Sequence, residues 1–192
     1  MDGYDLLKFL HMLAVVFMAA PLYNLIVVNE RAKLGNAHVQ VDRYMENLLR
    51  GAAVRCFVFQ ATALITGIAL VGLRYSLVSL ADNRVLLAKM LLLIALSAML
   101  SVVAFSLQPR IDRLLAQVAG DSIPTELAAR LGPLRLQRKR MAAGCLFLVL
   151  TTVLLGLQIV TSFASATNAA LLVLAGAFSW RVYARGIPFG WV

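Results

Sequence analysis

The chain has 192 residues, of which 61% are hydrophobic and only 14% charged, with a mean hydropathy of +0.85. A soluble domain carries roughly a quarter charged residues, and a small globule has too much surface to hide such an apolar surplus from water. The net charge of +9 does not point to nucleic acid, because the basic residues sit between apolar runs, where loops meet anionic lipid headgroups.

Five apolar runs follow one another, at residues 6–28, 56–73, 85–107, 141–163 and 169–183. A spanning helix needs about 20 apolar residues, so the pattern predicts an all-α, polytopic membrane helix bundle of about five transmembrane helices, one domain over the whole chain. Met1 to Lys8 carries two aspartates and one lysine, and Ala19-Ala20 runs into Pro21, so the first run reads as a retained helix and not as a cleaved signal. Pro21 is expected to kink it, with Asn24 placed to satisfy a freed carbonyl. Gln108-Pro109 is expected to end or kink the third helix. Asp121 to Glu126 reads as the start of a loop helix that Gly132-Pro133 ends. Ala164 to Asn168 reads as a tight polar turn between the last two helices.

The loops predict the orientation. With Arg31, Lys33, Arg43, Arg50 and Arg55 in or beside the first loop, Arg110 to Arg140 in the third, and Arg181 and Arg185 at the tail, 14 of the 18 basic residues fall on one side. Basic loops stay in the cytoplasm, so the N-terminus is expected outside and the C-terminus inside a bacterial inner membrane. Tyr4 and Tyr75 mark the outer boundary, and Trp180 and Tyr183 the inner one. Arg135, Arg138, Lys139 and Arg140 are expected to meet anionic headgroups at the cytoplasmic face. Cys56 and Cys145 have no CxxC partner and lie toward that reducing side, so free thiols are expected.

Polar residues within spans are costly and therefore informative. His11 lies about 7 Å inside the outer end of the first helix, at about 1.5 Å per residue. Lys89 and Gln158 fall at a similar depth, and Asn24, Gln60 and Gln108 form an inner layer. An imidazole can ligate a metal, iron or copper, and an ammonium can pair with a carboxylate such as a haem propionate. His11, Lys89 and Gln158 are therefore the candidate ligand-binding set, with His11 the metal ligand. The alternative is that His11 bonds a neighbouring helix and Lys89 snorkels to the headgroups. His11 is the sole histidine of the spans, so a haem held by two histidines of this chain is excluded; Lys89, Met12, Met18 or Met90 would supply any second protein ligand. No span contains Asp or Glu, which argues against a carboxylate proton relay. Met12 and Met18, and Met90 and Met99, could bind Cu(I), but their spacing favours packing. Ala63/Gly67, Ser97/Ser101, Thr152/Gly156 and Ala175/Ser179 have the small-xxx-small spacing of close helix contacts.

The stretch Lys8-Phe9-Leu10-His11-Met12-Leu13-Ala14-Val15-Val16 resembles the opening of the first helix in the superfamily of CopD copper-resistance proteins and HemJ-type protoporphyrinogen oxidases. Leu87-Ala88-Lys89-Met90-Leu91-Leu92-Leu93 resembles their third helix. The likeness covers about the first 110 residues loosely. It implies a four-helix core plus a C-terminal helix, with His11 at the position of a haem-ligating histidine and haem b as cofactor. Phe17 and Ala20 stand where that family commonly has a Trp-x-x-Gly pattern, and Leu25-Ile26 where the HemJ type has Pro-Arg. Three functions remain open: a CopD- or HemJ-like bundle holding haem b or a similar ligand in the outer leaflet, a non-catalytic accessory subunit of a larger membrane complex, and copper transport.

Overall fold

The computed structural model describes residues 3–29, 39–74, 82–159, 161 and 163–184, and the regular structure among them is entirely helical. The helices are α1 (Gly3–Asn29), α2 (Val39–Arg50), α3 (Ala52–Arg74), α4 (Arg84–Val102), α5 (Gln108–Ala116), α6 (Thr125–Gln158) and α7 (Ser165–Ala184). Four stretches are long and apolar enough to cross a membrane: Gly3–Val28, Val39–Arg74, Arg84–Ala116 and Thr125–Gln158. The fifth expected helix, α7, has 20 residues and lies along α6. The protein is an all-α membrane helix bundle. Tyr75, Arg31, Lys33, Arg185 and the tail from Gly186 lie outside the described residues.

The most extensive packing joins α1 to α3, which run antiparallel. At one end Arg74 lies over the Tyr4 ring at 5.7 Å and donates to its hydroxyl. Further along, Phe17 stacks on Phe59 with centroids 5.4 Å apart, and the Cys56 thiol donates to the Met18 carbonyl at 3.5 Å. Helices in lipid gain little from excluding water, so close approach and dispersion must hold them. The small-residue pairs lie where this demands. Ala63 is buried and Gly67 lies against α1. Ser97 donates to Gln60 on α3 at 2.8 Å. Thr152 is buried on α6 with Gly156 facing α4, and Ala175 and Ser179 are buried on α7.

Several sequence expectations are corrected. Pro21 lies within a continuous α1, but the hydroxyl that reaches the adjacent backbone comes from Tyr183, which donates to the Leu22 carbonyl at 2.8 Å, whereas Asn24 is exposed. Tyr183 is 2% exposed, its ring packed within the bundle, whereas Trp180 is exposed. Pro109 does not end the third helix. A π-helical turn, Val103–Leu107, absorbs it: the Gln108 amide bonds five residues back to Val103, and Pro109, with no N–H to give, opens α5. Pro133 does not end a loop helix either, because α6 runs through it without interruption. Pro inside a helix costs about 3 kcal/mol, and tertiary packing offsets it here: Leu131, Leu127 and Leu134 close on Ile111, Leu114 and Leu115 of α5 in a core of their own. The fourth helix also ends at Gln158 instead of residue 163, and Ser165 to Asn168 form the first turn of α7 rather than a free turn.

The first loop contains a helix that the sequence reading passes over. α2 packs on α1 and α3 and is tied by hydrogen bonds and ion pairs to the end of α5, to Asp121 and to α6. Arg43 donates to the Val118 and Leu115 carbonyls at 2.7 and 3.4 Å, capping the C-terminal end of α5. The Val39 amide bonds to the Asp121 carbonyl. Glu46, 2% exposed, receives both terminal nitrogens of Arg138, 3% exposed, at 2.6 and 3.0 Å. Arg138 also donates to the Gln108 side-chain oxygen at 2.7 Å, and Gln108 donates to Asp112 and Glu46. Arg135 pairs with Asp42 and, at 3.3 Å, with Glu46. Arg135 and Arg138, expected at lipid headgroups, thus bind α2 instead, and Arg140 remains exposed.

Removing one member of a buried pair strands the other charge. Glu46→Ala should therefore destabilise the protein by about 3–5 kcal/mol. The apolar double variant Glu46→Met/Arg138→Met should recover most of that loss, measured as thermal unfolding in detergent; a double variant as unstable as the single one would show that shape, not charge, holds the joint.

Candidate functional site

The candidate site lies in the half of the bundle nearer the Tyr4–Arg74 contact, where α1, α3, α4 and α6 approach one another. His11 on α1 faces α3, with Nδ1 3.0 Å from the Thr66 hydroxyl. That hydroxyl has one proton, and its shortest bond, 2.6 Å, runs to the Thr62 carbonyl one turn back. A Thr oxygen that donates to its own helix can accept only through its lone pairs. The His11–Thr66 bond is therefore N–H to oxygen, and in the neutral imidazole the proton sits on Nδ1. Nε2 keeps its lone pair. An outer partner that fixes the tautomer and aims the ring is the support that ligating histidines characteristically have.

Two glycines make room for the polar side chains. A Cβ on Gly67 would stand 3.2 Å from Cε1 of His11, so the imidazole occupies space that any other residue would reduce. A Cβ on Gly156 would stand 3.6 Å from the Lys89 ammonium, which places that charge against α6. His11 and Lys89 lie within electrostatic reach of each other. Among the described residues Lys89 has no carboxylate partner. Gln158 is half-buried two residues beyond Gly156, and residues two apart on a helix point to different faces. The structure thus places His11 and Lys89 in the same half of the bundle, with Gly156 rather than Gln158 as the α6 residue toward Lys89.

The inner layer does not gather. Asn24 is exposed, Gln60 accepts from Ser97, and Gln108 belongs to the Arg138–Glu46 network. The methionines separate too. Met12 is 59% exposed, while Met18 is buried with Cys56 and Cys145 in a cluster against which Met99 packs. Both thiols are free and buried, in keeping with the sequence reading. Among the described residues no three His, Cys, Asp or Glu side chains gather in a metal-binding group.

Sequence reasoning missed Thr66, Asp42 and Glu46. The last two had a readable signal: Asp42-x-x-x-Glu46 puts two carboxylates on one helical face, and Arg135-x-x-Arg138 offers a matching pair of guanidiniums. Thr66 had none, since a threonine within a span ordinarily bonds its own backbone.

No family model matches the chain, and no curated protein or solved structure is similar to it.

The two glycines should respond differently to substitution. Ala favours a helix over Gly by about 0.5–1 kcal/mol, but overpacking costs about 1–3 kcal/mol. Gly156→Ala meets only the end of a flexible side chain and should be neutral or stabilising. Gly67→Ala crowds a ring held by Thr66 and should lower stability by about 1 kcal/mol. Thermal unfolding of the two variants side by side checks the order, and equal responses would mean that the imidazole is free to move.

Proposed function

We propose that the protein is a CopD- or HemJ-like inner-membrane bundle that holds a ligand in the outer leaflet through His11, and that haem b is the ligand its residues fit best. The observation that carries this reading is the Thr66 hydroxyl on Nδ1, which leaves Nε2 as the free coordinating atom. His11, through Nε2, and Lys89 would hold the group, the lysine by pairing with a propionate, and Gly67 would keep bulk away from the imidazole. A bound haem would supply one-electron chemistry. The chain's own part is to orient the imidazole and to hold one cation in the same half of the bundle, in a low-dielectric medium. Fold analogy alone assigns no activity, so the reading rests on this ligand geometry.

A second reading, a non-catalytic accessory subunit of a larger membrane complex, draws on the same bond seen from the other side: Thr66 already gives His11 the partner that a buried imidazole requires. Copper transport draws on the shared cluster of Met18, Cys56 and Cys145. Orientation follows the charge asymmetry, with the N-terminus outside and the arginine-rich arms in the cytoplasm.

Protein expressed with ample haem and purified in mild detergent should show a Soret band that His11→Ala abolishes without preventing insertion. Thr66→Val, which removes the acceptor but not the ligand, should retain haem with a shifted band, and Lys89→Ala should speed haem loss. A colourless wild type with copper by metal analysis would favour transport; a colourless, metal-free one would favour the accessory subunit.

Topology is tested separately. A reporter fused after Val192 should be active only if cytoplasmic reporters are used, and periplasmic activity there would reverse the assignment.

A further inference from the structure

Two cavities open at the arginine-rich end, and they differ in charge. The smaller, about 160 Å³, is lined by Arg43 and Arg50 together with Glu46 and Asp112, so its charges are balanced within the protein. The larger, about 490 Å³, lies between α5 and the leading part of α6. Arg110, Arg113 and Arg130 line it with Gln117, over a floor of Leu114, Pro133 and Leu134, and no carboxylate lines it.

We propose that this second cavity binds a phosphate anion, carried by a phospholipid headgroup at the membrane surface. Three features support the assignment. Arg110 and Arg113 stand three apart on α5, so they share a face, and Arg130 closes on them from α6. None of the three has an ion-pair partner among the described residues, although Arg50, Arg135 and Arg138 all do. The Nε of Arg113 is spent on the Pro109 carbonyl at 3.2 Å, which fixes the plane of its guanidinium and leaves its terminal nitrogens for a ligand. Glu126, one turn before Arg130, is exposed and does not line the cavity.

Three guanidiniums gathered without a carboxylate repel one another, and a multivalent oxyanion removes that repulsion while accepting forked hydrogen bonds. The site also lies where a headgroup would be. α5 begins directly below the π-helical turn that ends the apolar stretch of the third span, and the apolar floor suits a glycerol backbone more than a free ion.

The test uses the full chain in neutral detergent, titrated with short-chain phosphatidylglycerol and, separately, with sodium phosphate in the absence of lipid, each read by native mass spectrometry. Arg110→Gln and Arg130→Gln should each weaken binding about tenfold, as expected for losing one charge-assisted hydrogen bond. Gln117→Glu should weaken it similarly by adding a carboxylate while keeping every arginine. Arg140→Gln removes the same charge from an exposed position outside the cavity and should change binding less than twofold. Binding of phosphatidylglycerol alone that is sensitive to the cavity variants assigns the headgroup as the source. Equally sensitive binding of sodium phosphate keeps the anion site but assigns it to a soluble phosphate. Unchanged binding in the cavity variants, or an equal loss in Arg140→Gln, overturns the site.

Discussion

The ion pair between Glu46 and Arg138 is the joint on which the arginine-rich half depends. Both side chains are almost wholly buried. Each would cost several kcal/mol to desolvate alone, so they are tolerable only together and with their remaining valences used. The neighbours complete that requirement. Gln108 accepts from Arg138, and one terminal nitrogen of Arg135 reaches both the same carboxylate and Asp42, while its Nε stays buried without a partner among the described residues. The residues come from α2, from the start of α5 and from the middle of α6. A single buried charge thus demands that three segments, far apart in sequence, meet at one point. The π-helical turn before Gln108 and the uninterrupted passage of α6 through Pro133 are two local irregularities that this meeting sustains.

The membrane half solves the same problem without charge pairs. Threonines at 62, 66, 151 and 152 return their hydroxyl protons to carbonyls of their own helix. Gln60 and Ser97 satisfy each other across α3 and α4. Tyr183 spends its hydroxyl on the backbone of α1 beside Pro21, which anchors the last helix to the first. Such bonds are individually modest, averaging about 0.6 kcal/mol in lipid. Their effect is positional: they set which faces meet, and apolar packing supplies the rest.

The spans were legible because a bilayer imposes one rule on every residue in turn, and a run of apolar side chains satisfies it visibly. Helix ends were less legible. Pro109 and Pro133 are local stop signals, and the contacts that override them involve Ile111, Leu131 and α2, which no local window contains. The α2 segment reads as a polar loop because its basic residues dominate the topology argument, although Asp42 and Glu46 already mark one helical face. Of the candidate site, His11 and Lys89 were legible because a polar group in lipid must be explained. Which faces they turn to, and the glycines they meet there, depend on how α1, α3, α4 and α6 turn about their axes, which hydropathy does not encode.

What separates a structural polar group from a functional one in this molecule is spare valence. Glu46 and Arg138 have every oxygen and terminal nitrogen engaged, and a ligand could reach them only by breaking the joint. His11 is held through Nδ1, which donates to Thr66, and in that tautomer Nε2 keeps its lone pair. Lys89 brings a charge into the same low-dielectric region with no carboxylate of the described residues to meet it. A bundle selected for packing alone would gain by replacing both with leucine, because each then costs desolvation and returns one weak bond or none. Their placement in one half of the bundle, each facing a glycine, follows naturally if something else supplies the missing partner. That asymmetry, full engagement at one end and open valence at the other, is the observation from which the proposed ligand site is argued beside His11 and not at the more conspicuous charge cluster.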